Sequence, residues 1–499
     1  MNGLNYFEVL KLVTPEMIVA IAALAVLFVD LAGMRTLEHR FRRMAAGAIT
    51  LAGCGGAIFW MFQIHQEAGP GLLHAMVVID PLTQLAKQAV LILTIFTAFT
   101  SLDADFTDHI GEYFALLLLA TVGMMFLVGT ENILMIFLSL ELLSLSLYIL
   151  TAFNKRNPQS AEAALKYFLF GGMAAAFTLF GLSLLYGLTG AIELRPIAAA
   201  LKGKGLDPLL AVAIVTTVIG FGFKVAAVPF HLWAPDAYQG APTPSAAFIA
   251  SGSKVASFFI LAKIMMLGFA GAEGDGAWRV FASGWVPVLA VVATFSMLLG
   301  NLAAIAQSNV KRLLAYSTIA HAGYALLAVL SNSQTGVASL VYYIVTYALT
   351  TLGAFAVAAA VENGAGDTRF SDFAGLSRRA PVLSLCMMVF ILSLAGIPPL
   401  AGFFGKFYVF IAAAGASKDL GLLWLVIFAI AMSAVSLYYY LQVLKQVYVT
   451  ESPATVIPVK ASIAFQIGVV LMALGVVVLG CAPNLLLGPI VDAIKAAGP

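Results

Sequence analysis

Apolar stretches of about 20 residues recur along the whole chain between short polar connections, a pattern that predicts an all-helical protein crossing a membrane many times. Fourteen stretches read as helices: about 14–33, 40–64, 80–102, 110–129, 131–153, 160–190, 208–231, 244–268, 277–307, 309–331, 335–361, 381–414, 419–449 and 459–482. A β-barrel needs short alternating segments, which this pattern lacks. No connection is long enough for a soluble domain. Runs that exceed one straight span, such as 381–414 with its Pro-Pro pair, predict tilted or broken helices.

Composition agrees with the pattern. Of 499 residues, 62% are hydrophobic and 10% charged, and mean hydropathy is +1.00, far from the balance of soluble domains. The start, MNGLNYFEVLKLVTPE, lacks the basic region and cleavage site of a signal peptide, so the first span is expected to be retained. Cys54, Cys386 and Cys481 are scattered and give no iron–sulfur spacing. Only His231 and His321 of six histidines lie in or beside apolar runs, without the paired axial ligands of a transmembrane haem carrier. No cofactor or metal site is expected on this chain.

Charge sets the expected orientation, because cytoplasmic loops carry the excess of Lys and Arg. If the loop with Arg35, Arg40, Arg42 and Arg43 is cytoplasmic, alternate connections add Lys155, Arg156, Lys311, Arg312, Arg369, Arg378, Arg379, Lys445 and Lys460, making 13. The other side then holds seven: Lys11, Arg195, Lys202, Lys204, Arg279, Lys418 and Lys495. Both termini are thus expected in the periplasm, and LRPIAAALKGKG reads as a surface-lying amphipathic piece.

Six lysines remain inside predicted spans: Lys87, Lys166, Lys224, Lys254, Lys263 and Lys406. Lys87 and Lys263 are expected to snorkel to an interface. The other four need internal partners, water or neutralisation, because a charge at mid-bilayer costs about 2.5–3.5 kcal/mol on insertion scales. Glu141 reads as the only carboxylate deep in a span.

An internal echo links two of these lysines. GFGFK at Gly220–Lys224 and GFFGK at Gly402–Lys406 sit in the seventh and twelfth spans, each interrupted by proline. An offset of five helices turns the second copy upside down, the arrangement of inverted repeats with discontinuous helices. In VPFHLWAPDAYQGAPTP the prolines free backbone carbonyls beside His231, and the seven-residue spacing places Lys224 and His231 on one helix face. The plainer reading is that the prolines only kink the helix and His231 marks the interface.

Glu141, with Ser144 one turn on, faces Lys166 at the start of the next span; a Glu–Lys contact that opens and closes is a proton switch, and a closed one is a static ion pair. Lys254 lies among Ser251, Ser253 and Ser257, small residues that permit close helix packing and need no lysine to do so. His321 is joined by Tyr324, and the following span places Tyr343, Tyr347 and Thr350 on one face. A tyrosine stripe is more often packing than a proton wire. Together, one buried acid, several lysines, two histidines and hydroxyl faces describe a protonatable path.

The segments LSLELLSLSLYIL, AALKYFLFGG, GFKVAAVPFHLWAPDAYQGAPTP, SGSKVASF, KRLLAYSTIAHAGY and AGIPPLAGFFGKFYVF resemble the antiporter-like membrane subunits of complex I, the NADH–quinone oxidoreductase. The resemblance covers essentially the whole chain. Lysine in GFFGKFYVF and in SGSKVASF resembles the subunit N branch of the family. The resemblance implies fourteen helices with two inverted five-helix repeats: an N-terminal segment 1–109, a first repeat 110–268 (helices 4–8), a second 277–449 (helices 9–13) and a C-terminal segment 450–499.

It also implies roles. Glu141 would pair with Lys166, Lys224 would be the lysine of the first broken helix, Lys254 the central connecting lysine, His231 part of the cytoplasmic uptake side and Lys406 the last step towards the periplasm. NAD, flavin, iron–sulfur clusters and quinone would reside on other subunits. Implied partners are the neighbouring subunit M, small subunits K, J, A and H, the peripheral redox arm indirectly, and lipid of the bacterial inner membrane. The expected function is proton translocation coupled to electron transfer elsewhere in the complex. A stand-alone Mrp-type cation/proton antiporter subunit and a mainly structural membrane subunit are the alternatives.

Overall fold

A computed structural model describes residues 10–63, 74–203, 205–278, 280–416, 420–451, 459 and 461–497. Lys204, Arg279, Lys418 and Lys460 of the charge tally lie outside them. The chain is almost entirely helical. Among the described residues, twelve helices are long and apolar enough to cross a membrane.

Among the described residues the helices of eight or more residues are, in order, α1 (Thr14–Met34), α2 (His39–Gln63), α3 (Pro81–Ser101), α4 (Ile110–Val128), α5 (Ile133–Thr151), α6 (Pro158–Thr189), α7 (Leu194–Leu201), α8 (Pro208–Lys224), α9 (Trp233–Gly240), α10 (Thr243–Gly268), α11 (Trp285–Ile305), α12 (Val310–Leu330), α13 (Gln334–Ala365), α14 (Pro381–Ala395), α15 (Ala401–Ala414), α16 (Leu423–Tyr448), α17 (Ile463–Cys481) and α18 (Asn484–Ala497). The chain marks their starts clearly. Proline occupies the first turn of α1, α3, α6, α8, α10 and α14, where a missing N–H removes no helical bond. Side chains of Asp80, Asn132, Asn157, Asp207, Asn309, Ser333 and Ser462 accept from first-turn N–H groups.

Four differences from the sequence reading stand out. Helix α8 ends at Lys224 and the chain turns until Trp233, so Lys224 and His231 do not share a helix face. Helix α10 is interrupted at Ser251, three residues before Lys254, a break the sequence signals with no proline. The span expected from residue 277 starts at Trp285, and a hairpin of β1 (Asp275–Ala277) and β2 (Val280–Ala282) precedes it. The C-terminal segment, expected to hold one span at 459–482, also contains α18, an amphipathic helix that buries Ile490, Ala493 and Ile494 against its neighbours. The start of LRPIAAALKGKG forms the short amphipathic helix α7, which buries Leu194, Ile197 and Leu201 on one side.

The same local design occurs twice. Asn132 caps α5, and its strand-like neighbours bond the segment just past Gly190, the left-handed end of the 32-residue α6 (Ile133 N to Ile192 O, 2.9 Å; Leu194 N to Glu131 O, 2.9 Å). Asn309 caps α12 in the same way against the segment past Gly366, the left-handed end of the 32-residue α13 (Val310 N to Thr368 O, 2.8 Å; Phe370 N to Ser308 O, 3.0 Å). Glycine suits both ends because each needs a positive φ. Each of these helix pairs is followed by an interrupted one, α8–α9 and α14–α15.

Helices α10, α12 and α13 form the interior and are almost fully enclosed by protein, whereas α1, α6 and α16 keep most of their surface outward. Close crossings depend on glycine: a Cβ on Gly300 of α11 would lie 2.5 Å from the Ala320 backbone nitrogen on α12. Among the described residues, two buried ion pairs lie in the N-terminal segment. Glu16 meets Lys87 at 2.6 Å, and Asp30 accepts both Arg42 Nε and Nη2 at 2.7 Å and Gly111 N–H at 3.0 Å. Glu16 lies in the first turn of α1 and Asp30 near its end, so these acids flank that span, whereas Glu141 sits in the middle of α5. Lys87, expected to snorkel, is instead enclosed with its acid. Lys263 is mostly buried as well, its amine donating to Thr83 Oγ1 and the Val128 carbonyl at 3.4 Å each and lying 3.8 Å from Glu131.

Candidate functional site

The polar interior is organised by the two interrupted helices. A helix end leaves carbonyls without helical partners, and inside a membrane protein some internal donor has to serve them. At the first interruption the Trp233 indole donates to the Phe223 carbonyl at 3.0 Å, and Lys254 Nζ donates to the Val225 carbonyl at 2.5 Å. Ser296 of α11 accepts from Val228 N–H at 2.8 Å. At the second, Lys406 Nζ donates to the Leu394 and Ala395 carbonyls at 3.0 and 3.2 Å and to Ser433 Oγ at 2.9 Å. The Tyr324 ring lies 5.2 Å from the same amine.

Lys224, the last residue of α8, donates to Ser144 Oγ of α5, whose hydroxyl bonds the Leu140 carbonyl. Its amine also lies over the Tyr148 and Phe223 rings at 5.7 and 5.6 Å. Glu141, one turn before Ser144, is half-buried and within electrostatic reach of Lys224. Among the described residues it forms no ion pair.

The expected Glu141–Lys166 pair is not formed. Lys166 instead binds Glu162 at 2.7 Å and Asp236 at 2.8 Å, with 41% of its side chain exposed. The reason is geometric: Lys166 lies in the third turn of α6, at the level of the short α9 that follows the break, and Asp236 is presented there. His231 is half-buried beside the break, and among the described residues its Nδ1 has no hydrogen-bond partner. The structure does not bond it to Lys224 or Lys254.

The second cluster gathers most of the other expected residues. His321 Nδ1 meets Tyr343 OH at 2.7 Å and Nε2 meets Tyr440 OH at 3.1 Å, while Tyr347 lies stacked on the imidazole and donates to Thr318 at 2.8 Å. Tyr440 is also bonded to Ser317. Tyr324 OH accepts from Asn301, which in turn accepts from Tyr439 at 2.9 Å. Thr350 reaches Ser393 at 3.4 Å, beside the second interruption. Hydroxyls, an imidazole and an amide thus form a network of groups that both donate and accept, which reaches Lys406 through the Tyr324 ring.

Several members had no distinct signal in the chain. Asn301 is a lone amide in an apolar run, and Tyr439 and Tyr440 belong to a YYY triplet whose buried face is set by packing. Lys311 counted as a loop charge, yet it is buried, donating to the Ala241 carbonyl at 3.1 Å and Thr243 Oγ1 at 2.9 Å and pairing with Glu362 at 3.2 Å. Arg312 beside it binds Asp236 at 2.8 Å. Among the described residues, no group of three His, Cys, Asp or Glu side chains is arranged to hold a metal.

Comparison with known proteins places this geometry. Residues 130–434 match the family described as NADH:quinone oxidoreductase/Mrp antiporter, transmembrane. NADH-quinone oxidoreductase subunit N 2 of Acidobacterium capsulatum is 51% identical over 98% of this chain and 99% of its own length. A chain of respiratory complex I from Thermus thermophilus with bound aureothin superposes with a TM-score of 0.77 at 33% identity, covering 97% of this chain and 100% of that one. A chain of the archaeal membrane-bound sulfane sulfur reductase superposes with a TM-score of 0.84 at 25% identity, covering 97% of both.

Proposed function

The chain belongs to the NADH:quinone oxidoreductase/Mrp antiporter family of transmembrane subunits, within which it groups with the subunit N relatives, and on that premise we propose that it is a proton-translocating membrane-arm subunit of the NADH–quinone oxidoreductase complex. Electron transfer from NADH to quinone takes place on other subunits. Its energy reaches this chain as a change in the charge environment near Glu141 and Lys224. Protons are taken up on the cytoplasmic, arginine-rich side near His231, pass Lys224 and Lys254, and leave past Lys406 towards the periplasm. Two inverted repeats, over 110–268 and 277–449, supply the two halves of this path.

The observation that carries the reading is the character of three amines. Lys224, Lys254 and Lys406 each belong to a helix interruption, and each donates to neutral oxygen acceptors: Ser144 Oγ, the Val225 carbonyl, and the Leu394 and Ala395 carbonyls with Ser433. Among the described residues none is in an ion pair. Breaking a buried ion pair strands a charge, at a cost of about 3–5 kcal/mol. A lysine held by neutral acceptors can take up or release its proton without stranding a carboxylate, which suits a relay and is not needed for a static tie.

The test is the ratio of protons moved to electrons transferred in assembled complex reconstituted into vesicles, comparing the native chain with Lys224→Ala and Glu141→Gln. A lowered ratio at native assembly supports the path. An unchanged ratio removes these residues from it.

A further inference from the structure

Helix α9 has eight residues, too few to hold its own shape, so its position after the break has to come from tertiary contacts. Its start is bound by the Trp233–Phe223 contact. Its end is bound more heavily. Ser160 donates to the Gly240 carbonyl at 2.6 Å, and Lys311 donates to the Ala241 carbonyl at 3.1 Å and to Thr243 Oγ1 at 2.9 Å. Asp236 in the middle is held by Lys166 and Arg312 at 2.8 Å each, and Gln239 accepts from Arg312 at 3.1 Å.

Carbonyls at a helix C-terminus lack helical donors, and the partial negative charge there favours a cation. Lys311 supplies that cation from the first turn of α12. It is itself secured by Glu362 of α13, to which Thr243 is also bonded. One buried amine therefore ties the end of the interrupted helix to α12 and α13.

We infer that Lys311 is a positioning residue: anchored by Glu362, it latches the end of α9 to α12 and α13 and so keeps segment 225–232 in the conformation that presents the Val225 carbonyl to Lys254. The role rests on the proton path proposed above and extends it to a residue outside that path. With α9 fixed at Trp233 by the indole contact and at Ala241 by the amine, the eight-residue connection between Lys224 and Trp233 has both ends defined. Removing the amine leaves the far end of α9 held by Ser160 alone, which loosens it and lets the connection rearrange.

The experiment uses assembled complex carrying Lys311→Met, Glu362→Gln or Lys254→Ala. Hydrogen–deuterium exchange over residues 225–243 and the proton-to-electron ratio are measured for each. Lys311→Met is expected to speed exchange over 225–243 by about tenfold, leave α12 and α13 as protected as before, and lower the ratio. Glu362→Gln is expected to do the same to a smaller extent, because the Ala241 and Thr243 acceptors remain. Unchanged exchange over 225–243, faster exchange spread evenly along the chain, or an unchanged ratio beside a lowered one in Lys254→Ala would each overturn the latch. If Lys254→Ala itself keeps the native ratio, the proton path falls and the exchange pattern alone decides the latch. Should Lys311→Met not assemble, Thr243→Val and Glu362→Gln provide the same two readouts.

Discussion

Lys254 Nζ lies 2.5 Å from the carbonyl oxygen of Val225, a contact between residues 29 apart in sequence that joins the interrupted α10 to the end of α8. The carbonyl is available because α8 stops, and the amine reaches it because α10 is itself interrupted at Ser251. The two breaks meet. An amine bonded to a neutral acceptor at this point is the central member of the proposed path.

Lys254→Ala leaves the Val225 carbonyl buried without that donor, which costs about 1–3 kcal/mol. The expected outcome is assembled complex with slightly lower thermal stability and a strongly reduced proton-to-electron ratio. Vesicle acidification measured beside NADH oxidation checks it, and native pumping would exclude Lys254 from the path.

Lys166 and Lys224 should separate. Lys166 is held at the surface by Glu162 and Asp236, and Lys224 is inside, bonded to Ser144. Lys166→Ala is expected to change pumping much less than Lys224→Ala in the same assay. Equal losses would restore Lys166 to the central path.

The Glu16–Lys87 pair is enclosed on all sides. Lys87→Met strands the Glu16 carboxylate and is expected to destabilise the chain by about 3–5 kcal/mol, whereas Lys87→Met with Glu16→Gln recovers most of that loss. Thermal unfolding of detergent-solubilised complex, followed through this chain, reports the difference.

Tyr440 bridges His321 and Ser317. Tyr440→Phe keeps the ring and removes the bridging hydroxyl, at a stability cost of about 0.5–1.5 kcal/mol. Assembly should be native and the pumping rate lower. Ser433→Ala, which removes one of three acceptors of Lys406, is expected to have a milder effect on the same rate.

Much of this architecture is legible in the chain because a membrane leaves few alternatives. Each backbone polar group must be satisfied within its own helix, so a 20-residue apolar run has one outcome. Proline and Asp, Asn or Ser at helix starts, and glycine at Gly190 and Gly366, mark the ends. The interruptions after Lys224 and before Lys406 are visible as proline clusters, whereas the one at Ser251 has no such mark in the sequence. His321 with Tyr343 and Tyr347 was visible as a polar face.

What the sequence by itself determined is the inventory: an all-helical membrane chain, the positions of its spans, and lysines that the apolar runs could not account for. Tertiary structure decided their partners. Lys166 went to Asp236 and not Glu141, Lys87 to Glu16, and Lys311 from a supposed loop into the interior. The physical reason is that apolar length is a local property of one segment. The partner of a buried charge depends on which helix ends face each other, and that follows only from how the helices cross and where they break.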